Sequence, residues 1–366
     1  MNRFNQTVKK TILALVCAGT IAALLAGCVT TNKTVKTDVF FPPPPDEPRL
    51  QFLTGFSSER SFRQREDKSL MTFLTGEKAA AKELNKPYGA VAYDKKIFVC
   101  DTAMGSVLVI DLQTERMGML EAKGEGRLVT PLNIAIDRAD GTAYVADSTR
   151  EQVVIFDKQG NYLAAMGKKD EMRPRDVAVG ADRIYIADLK GHNVRVFNKT
   201  TREFLFAFPQ GPGATNEQTG LYMPLNLALD TKGRLYVSDT GGYRVQVYDG
   251  DGKYLRSVGE QGDGLGMFAR LKGIAVDYEN RLYAADAMSQ VVQIFDEQGK
   301  LLCFFGDPGE GPRIQILPTK VLVDYEDVGY FQKYAAPNFE VEHLVLVINQ
   351  LGPHKVAVYG FGHKRK

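Results

Sequence analysis

Charged and hydroxyl-bearing residues recur one or two positions after the residue that opens each of several short apolar segments. They are Tyr88, Arg175, Asp176, Lys272 and Lys320. A carboxylate among basic groups can carry general acid–base chemistry, and clustered cations can hold a small anion. If the segments meet around one central funnel, these five residues form a candidate ligand-binding site there, suited to a hydrolase, a lyase or an anion sensor.

The histidines do not indicate a metal-binding site. The chain has four, and the three outside the C-terminal tail, His192, His343 and His354, fall on two different repeat units. Because catalytic zinc often needs three convergent imidazoles, we expect no zinc site. No nucleophile-elbow motif marks a serine triad.

The apolar segments belong to an internal repeat. Pro131 to Asp137 reads PLNIAID, Pro224 to Asp230 reads PLNLALD, and weaker copies recur at spacings of 43 to 50 residues. Most copies are followed by a second strand such as Ala143 to Asp147, then a third strand, and a fourth that ends in glycine. Short β-branched and aromatic runs between turn residues are what a propeller blade requires. The sequence therefore predicts an all-β fold, a six-bladed β-propeller with four-stranded blades.

The sixth repeat unit lacks a fourth strand. It has three strands after Pro318, whereas Leu50 to Gly55 carries the fourth-strand pattern before the first unit. An N-terminal strand that completes the last blade would close the ring without a free edge. We therefore predict a propeller over residues 50–362, followed by a basic tail over residues 363–366.

The repeat resembles the NHL repeat over roughly residues 50–360. The resemblance rests on the Pro-led opening, the Tyr-Val-Ala-Asp-like second strand, and an Arg at the start of the third strand, which only Arg244 supplies. In propellers similar to gluconolactonases, acidic or amide residues just after the opening Pro help hold calcium. The matching positions here offer one threonine hydroxyl as a hard oxygen donor; they are Tyr88, Leu132, Arg175, Leu225, Lys272 and Thr319.

Oxygen-bearing side chains do stand one position later. Because a one-residue shift along a strand turns the side chain to the other face, we expect Asn133, Asp176 and Asn226 to point away from such a calcium site. The sequence thus predicts no metal and no other cofactor, and it favours a protein that is not an enzyme. Aspartates at the ends of second strands are expected to accept backbone N–H groups; they are Asp101, Asp147, Asp188, Asp239 and Asp286.

The first residues of the chain carry a processing signal. Three basic residues precede an uncharged run, Thr11 to Ala23, that is shorter than the about 20 residues a membrane span needs. The run leads into Leu25-Ala26-Gly27-Cys28, which resembles the lipobox of bacterial lipoproteins. This resemblance implies that residues 1–27 are a signal peptide, that Cys28 is acylated, and that the protein is anchored in the cell envelope. Val29, in place of Asp, favours the outer membrane in a double-membraned host.

Residues 28–49 are predicted to be the lipidated cysteine and a tether. Four consecutive prolines, from Pro42 to Pro45, favour an extended spacer, and a docking peptide for an aromatic groove is the alternative. The chain without residues 1–27 has 43 basic and 44 acidic residues, which does not favour a nucleic-acid partner. Cys100 and Cys303 lie in apolar strand patterns and are expected to be buried thiols, with a disulfide as the alternative.

An insertion within the sixth unit, Tyr325 to Glu342, carries four aromatic residues. Long loops are often functional and aromatics are enriched at interfaces, so the candidate partner-binding residues are Tyr330, Phe331, Tyr334 and Phe339. The alternative is that these side chains fold back onto the propeller. Lipoproteins with a Pro-rich tether and a degenerate NHL propeller resemble accessory subunits of envelope assemblies, some with multihaem c-type cytochromes. The leading hypothesis is a non-catalytic scaffold for an envelope protein; a funnel enzyme and a small-anion sensor are the alternatives.

Overall fold

The structure, a computed structural model, describes residues 38–62, 82–209, 219–306 and 315–365. The predicted signal peptide and the lipidation site Cys28 lie outside the described residues. The propeller lies within one compact unit, Asp38–Lys366. None of the helices in the described ranges is long and apolar enough to cross a membrane.

Five of the blades are four-stranded antiparallel sheets whose strands follow one another along the chain. Blade one contains β3 (Pro87–Tyr93), β4 (Lys96–Asp101), β5 (Ser106–Asp111) and β6 (Arg116–Met119). Blade two contains β7 (Pro131–Ile136), β8 (Ala143–Asp147), β9 (Gln152–Phe156) and β10 (Tyr162–Met166). Blade three contains β11 (Pro174–Val179), β12 (Arg183–Asp188), β13 (Asn193–Asn198) and β14 (Phe204–Phe208). Blade four contains β15 (Pro224–Leu229), β16 (Leu235–Asp239), β17 (Arg244–Tyr248) and β18 (Tyr254–Val258). Blade five contains β19 (Leu271–Val276), β20 (Leu282–Asp286), β21 (Val291–Phe295) and β22 (Leu301–Phe305).

The sixth blade joins strands from both ends of the propeller. Its order is β23 (Pro318–Asp324), β24 (Phe339–Asn349), β25 (Val356–Lys364), β2 (Leu50–Phe56) and β1 (Val39–Phe41). Strand β2 pairs antiparallel with β25, from Leu50 opposite Phe361 to Phe56 opposite Val356. The inner strands contact one another in the closed order β3, β7, β11, β15, β19, β23 and back to β3. The predicted six-bladed ring and its closure by an N-terminal strand are therefore confirmed.

The sixth blade differs from the prediction at both of its outer strands. Residues 39–41, assigned to the tether, form a fifth strand because Val39 and Phe41 alternate with Phe40 and bury their side chains against the sheet. The four prolines lie in the turn that leads from β1 to β2 rather than in an extended spacer. Strand β25 continues to Lys364, opposite Phe339, so residues 363 and 364 of the predicted basic tail are part of the sheet.

Each blade presents two ends, and we name them for what lies there. In blade two, Pro131 at the start of β7 pairs with Asp147 at the end of β8, and Asp147 pairs with Gln152 at the start of β9. The first strands therefore begin at one end of the blades, which we call the opening face. The turns between the first and second strands and between the third and fourth strands lie at the other end, the turn face.

The repeated aspartates hold the opening face together. Asp147 accepts hydrogen bonds from the backbone N–H groups of Val129 and Thr130 at 2.6 and 3.0 Å, and from those of Thr149 and Arg150. Asp101 and Asp286 make corresponding bonds in blades one and five. The structural role predicted for these carboxylates is confirmed.

Apolar side chains fill the spaces between neighbouring blades in six clusters, all of which lie within residues 39–361. Leu50 and Phe56 of β2 are almost fully buried in two of them. The N-terminal strand is thus part of the core and not only of the hydrogen-bond ladder.

Candidate functional site

Each inner strand begins with a break in its ladder. In blade three, Pro174 pairs with Asp188 and the next pair is Asp176 with Ala187, so the register shifts between them. The other five inner strands also shift directly after the opening residue, and pairing resumes at the second or third residue after it. A bulge re-aims the side chains beside it, so simple alternation does not apply there. The second position after each opening residue is therefore buried at the central channel; in blade order it holds Gly89, Asn133, Asp176, Asn226, Gly273 and Lys320. Simple alternation, on which the expected orientation of Asn133, Asp176 and Asn226 away from a calcium site rested, therefore does not hold here.

Lys320 spans the channel. Its Nζ lies 3.3 Å from Asp176 Oδ2 and 2.8 Å from Asn226 Oδ1. Blades three and six face each other across a six-membered ring, so this ion pair joins opposite sides of the propeller. Lys320 is 9% exposed and Asp176 is 1% exposed, which means that solvent barely reaches the pair.

Backbone groups satisfy the rest of this network. Asp176 Oδ2 accepts the N–H of Leu227 at 2.8 Å, and Asn226 Oδ1 accepts that of Ile274 at 3.0 Å. Each side chain thus reaches the inner strand of the next blade. Burial raises the pKa of Asp176, and the charge of Lys320 opposes that rise. We conclude that the network links blades three, four, five and six and closes the channel on that side.

The two glycines of the ring make room for their neighbours. A Cβ atom on Gly89 would lie 2.0 Å from Asn133 Oδ1, and one on Gly273 would lie 2.4 Å from the Cα of Lys320. Asn133 Nδ2 donates to the carbonyl of Arg175 at 2.9 Å, whereas its buried Oδ1 has no hydrogen-bond partner among the described residues. The side of the channel near Gly89 therefore has a buried polar atom without a hydrogen bond, whereas Lys320, Asp176 and Asn226 on the other side are bonded to one another.

The predicted funnel residues come together as two pairs. Asp176 pairs with Lys320 as described, and Arg175 donates an Nη2 hydrogen bond to the hydroxyl of Tyr88 at 3.1 Å. The Nε of Arg175 is buried without a partner among the described residues. Lys272 is half-buried and has no ion pair with any residue in the described ranges. The channel mouth therefore carries two cations that no described carboxylate neutralises.

In the described part of the chain, possible metal ligands do not cluster in threes and the two cysteines are not bonded to each other. No group of three His, Cys, Asp or Glu side chains there could hold a metal ion. Cys100 and Cys303 are both free thiols, Cys100 buried and Cys303 half-buried on the outer strand of blade five. Burial raises the pKa of Cys303 to about 11, so its thiol is protonated at neutral pH.

Two of the four aromatic residues in the insertion of the sixth blade pack against the propeller. It contains a short helix, α1 (Val328–Phe331), whose Phe331 is fully buried and meets the ring of Phe56 at 6.3 Å between centroids. Phe339 is also fully buried, because it begins β24 rather than a loop. Tyr330 and Tyr334 are half-buried. Phe331 and Phe339 are therefore core residues and not candidates for partner binding.

A second set of aromatics, which the repeat pattern did not single out, lies at the start of this insertion. Tyr325 stacks on Tyr278 of the blade-five turn with ring centroids 4.1 Å apart and an interplanar angle of 6°. Tyr278 is 68% exposed, so one face of this tyrosine stack is open to solvent. At the other end of the insertion, the Tyr330 hydroxyl donates to Glu115 of blade one at 2.8 Å. The insertion thus presents tyrosines on the turn face from blade five to blade one.

A buried histidine lies beneath the tyrosine stack. His343 Nε2 is 2.9 Å from the Tyr283 hydroxyl, which donates to Asp277 Oδ2 at 3.0 Å. Because the single phenolic proton is used on Asp277, the imidazole must donate from Nε2, which assigns its tautomer. Burial lowers the pKa of His343 to about 4. The imidazole is therefore neutral in the folded protein at physiological pH.

Acid should destabilise the fold through this histidine. The unfolded chain takes up the proton near pH 6.5 and the folded chain only near pH 4, so stability falls as the pH drops through that window, by about 3 kcal/mol in total. We expect His343→Phe to remove this part of the pH dependence. Urea unfolding between pH 7 and 4 would show it as a shallower slope of unfolding free energy against pH. His192→Asn, which removes an exposed imidazole, should keep the wild-type slope; an unchanged slope in His343→Phe would contradict the assignment.

Comparison with known proteins gives two partial sequence matches. Residues 214–302 match the DUF5128 family, described as a 6-bladed beta-propeller. A stretch of 143 residues, 37% of this chain, is 29% identical to Protein brain tumor of Drosophila melanogaster, of which it spans 13%. The family match agrees with the propeller seen in the structure.

Solved structures share the fold at low sequence identity. A gluconolactonase from Xanthomonas campestris matches with a TM-score of 0.54 and 15% identity over 88% of this chain and 97% of that chain. A virginiamycin B lyase from Staphylococcus aureus gives 0.51 and 12% over 76% and 82%. Hydrazine synthase from Kuenenia stuttgartiensis gives 0.51 and 12% over 78% and 97%. At these identities the likeness is one of fold alone.

Proposed function

We propose that this chain is a lipid-anchored β-propeller of the bacterial cell envelope that binds a protein partner and performs no catalysis itself. The observation that carries the proposal is the exposed Tyr278–Tyr325 stack on the turn face. Tyrosines of this kind supply large contact area with little loss of side-chain freedom, and they are enriched among the residues that dominate binding energy. The lipobox-like sequence ending in Cys28 supports the anchor, with the outer membrane as the membrane in a double-membraned host.

The arrangement of the funnel supports a non-catalytic role. Asp176 and Lys320 are buried, bonded to each other and to Asn226 or the backbone. A general acid or base must reach a substrate proton at hydrogen-bond distance, and these groups are enclosed instead. A hydrolase or lyase in this funnel would have to break the pair that closes it.

The partner is proposed to be another envelope protein. The resemblance of the tether and degenerate NHL repeats to accessory lipoproteins makes a multihaem c-type cytochrome complex one such class. The turn face fits a protein partner because Tyr278 is exposed while Tyr330 and Lys333 are tied to Glu115, so the contact surface is held in place before binding. A pre-ordered surface loses less entropy on association.

A small-anion sensor is the second candidate, and one observation favours it. Arg175 has a buried Nε without a described partner, and Lys272 has no ion pair with a described carboxylate. Titration of the purified protein with inorganic phosphate would test this role. Heat of binding that disappears in Arg175→Gln would support a sensor.

The partner proposal predicts that Tyr278→Ser weakens capture of the main crosslinked envelope protein by about 30-fold, as for a residue worth about 2 kcal/mol. Cells would be crosslinked, the membranes solubilised, and the protein that co-purifies quantified by mass spectrometry. Leu255→Ser is the control, since Leu255 is an exposed apolar residue on the outer strand of blade four, away from the turn face insertion. Equal capture by both variants would reject the tyrosine stack as the contact. Labelled palmitate that enters the wild-type chain but not Cys28→Ser would separately support the anchor.

A further inference from the structure

Basic residues surround the channel mouth on the opening face. Lys86, Arg173 and Arg270 immediately precede the inner strands of blades one, three and five, and all three are exposed. None of them forms an ion pair with a residue that the structure describes. The nearby aspartates, such as Asp101, are buried and accept backbone N–H groups from the same segments. Exposed carboxylates such as Glu83 and Glu260 also lie in the loops of this face, but they form no ion pair with these three cations.

Exposed apolar side chains lie on the same face. They occupy the loops that lead into the inner strands and the loops between second and third strands, and they are between 41% and 61% exposed: Val129, Met223, Leu265, Met288 and Leu351. Single exposed apolar residues are ordinary on a protein surface. Here they share one end of the propeller with uncompensated cations, which is the composition that suits a membrane interface.

The turn face has a different charge arrangement. Its basic residues are largely paired with carboxylates of neighbouring turns, as Arg138 is with Glu326 and Lys232 is with Glu297. Arg183 and Asp251 form a further pair between blades three and four at 2.8 Å. An anionic surface is therefore attracted to the opening face more strongly than to the turn face.

The N-terminal strand begins nearer the opening face than it ends. Val39 pairs with Phe52 and Phe41 pairs with Leu50, so β1 starts on the opening side of the sheet and runs toward the turn face. Ten residues, 29–38, separate Cys28 from Val39, and they span at most about 35 Å. This length limits how far β1 can lie from a lipid attached at Cys28.

We propose that the opening face rests on an anionic lipid surface. Lys86, Arg173 and Arg270 lie against the headgroups, and the apolar residues around them enter the interfacial region. This inference goes beyond the proposed function, and the two are compatible because the turn face, which carries the tyrosine stack, then points away from the membrane. The occupant is identified by charge: phosphatidylglycerol offers an anionic headgroup, and phosphatidylcholine does not.

The test uses the chain from residue 29 to 366 without acyl groups, since all six core clusters lie within residues 39–361. We expect it to co-sediment with phosphatidylglycerol vesicles in a salt-sensitive manner and not with phosphatidylcholine vesicles. Each basic residue near an anionic membrane contributes about fivefold to binding, so K86Q/R173Q/R270Q should bind on the order of 100-fold more weakly. The matched control is R116Q/K253Q/K300Q, which removes three exposed charges from the turn face.

Equal losses in the two triple variants would overturn the proposal, because net charge alone would then explain the binding. Lack of binding to anionic vesicles by the unmodified sequence would overturn it as well, as would binding to polyglutamate without binding to vesicles. Partner capture by crosslinking is measured separately, through Tyr278→Ser. Failure of the vesicle test would therefore leave the proposed partner role standing, and the reverse also holds.

Discussion

Replacement of Lys320 by methionine is expected to lower the unfolding free energy by about 3 to 5 kcal/mol at neutral pH. The substitution removes the only cation bonded to Asp176 in the described structure and leaves a carboxylate that is 1% exposed. An uncompensated buried charge is costly because the interior solvates it poorly. Urea unfolding of the purified protein would measure the loss.

Two comparisons show whether the ion pair is the cause. Lys320→Met combined with Asp176→Asn should recover most of the loss, since no isolated charge remains. Lys272→Met should cost little, because that lysine has no ion pair in the described ranges. Burial raises the pKa of Asp176, and without Lys320 it should rise further. The folded Lys320→Met chain would then hold a proton that the unfolded chain has lost, so its deficit should shrink as the pH falls toward 4. A deficit that does not change with pH would contradict this account.

Deletion of every residue before Ser57 is expected to abolish folding. The truncation removes β2, whose Leu50, Leu53 and Phe56 are at most 4% exposed, and each such side chain stabilises by about 1.5 to 3 kcal/mol when buried. The sum approaches the total stability of an ordinary domain, about 5 to 15 kcal/mol. It also leaves β25 as a free edge on the sixth blade. Circular dichroism and thermal unfolding would show the loss.

A chain that begins at Leu50 provides the control. It lacks β1 but keeps the four strands of the sixth blade, and it should unfold cooperatively with a moderate loss from Val39 and Phe41. A synthetic peptide of residues 37–57, added during refolding to the chain that begins at Ser57, should restore structure by strand addition. Cooperative unfolding of the truncation that begins at Ser57, without peptide, would show that ring closure is dispensable.

The fold was predictable because each repeat can be recognised from the types of residues that lie close together in the sequence. Tyr-Val-Ala-Asp-like second strands and Pro-led inner strands mark each blade, and the missing fourth strand of the last unit pointed to Leu50. Strand β1 was not predictable in the same way. Four prolines follow it, and the burial of Val39 and Phe41 depends on contacts with blade five, such as the 6.1 Å approach of Phe41 to Phe305.

The funnel was harder to predict than the blades. Its candidate residues, Asp176 included, were chosen by type and position. Strict alternation predicted that Asn133 and Asn226 face away from a calcium position, but the bulge at the start of each inner strand breaks that alternation. The Lys320–Asp176 pair joins residues of opposite blades, a distance relation that only the closed ring creates. In the insertion, aromatic composition alone could not show that Phe331 is buried. It also could not identify Tyr278, which is exposed but belongs to blade five.

Pairing of the first blade strand with the last has a consequence for the order in which the protein is made. Ser57, next to β2, meets Lys355, next to β25, across 298 residues of sequence. Strand β2 is synthesised long before its partner exists, so it must wait without a ladder while five blades form. Contacts of such long range form late in folding. A chain that lacks β25, through interrupted synthesis or degradation, would therefore expose β2 as an unpaired apolar segment. Only the complete chain can bury β2 by closing the ring.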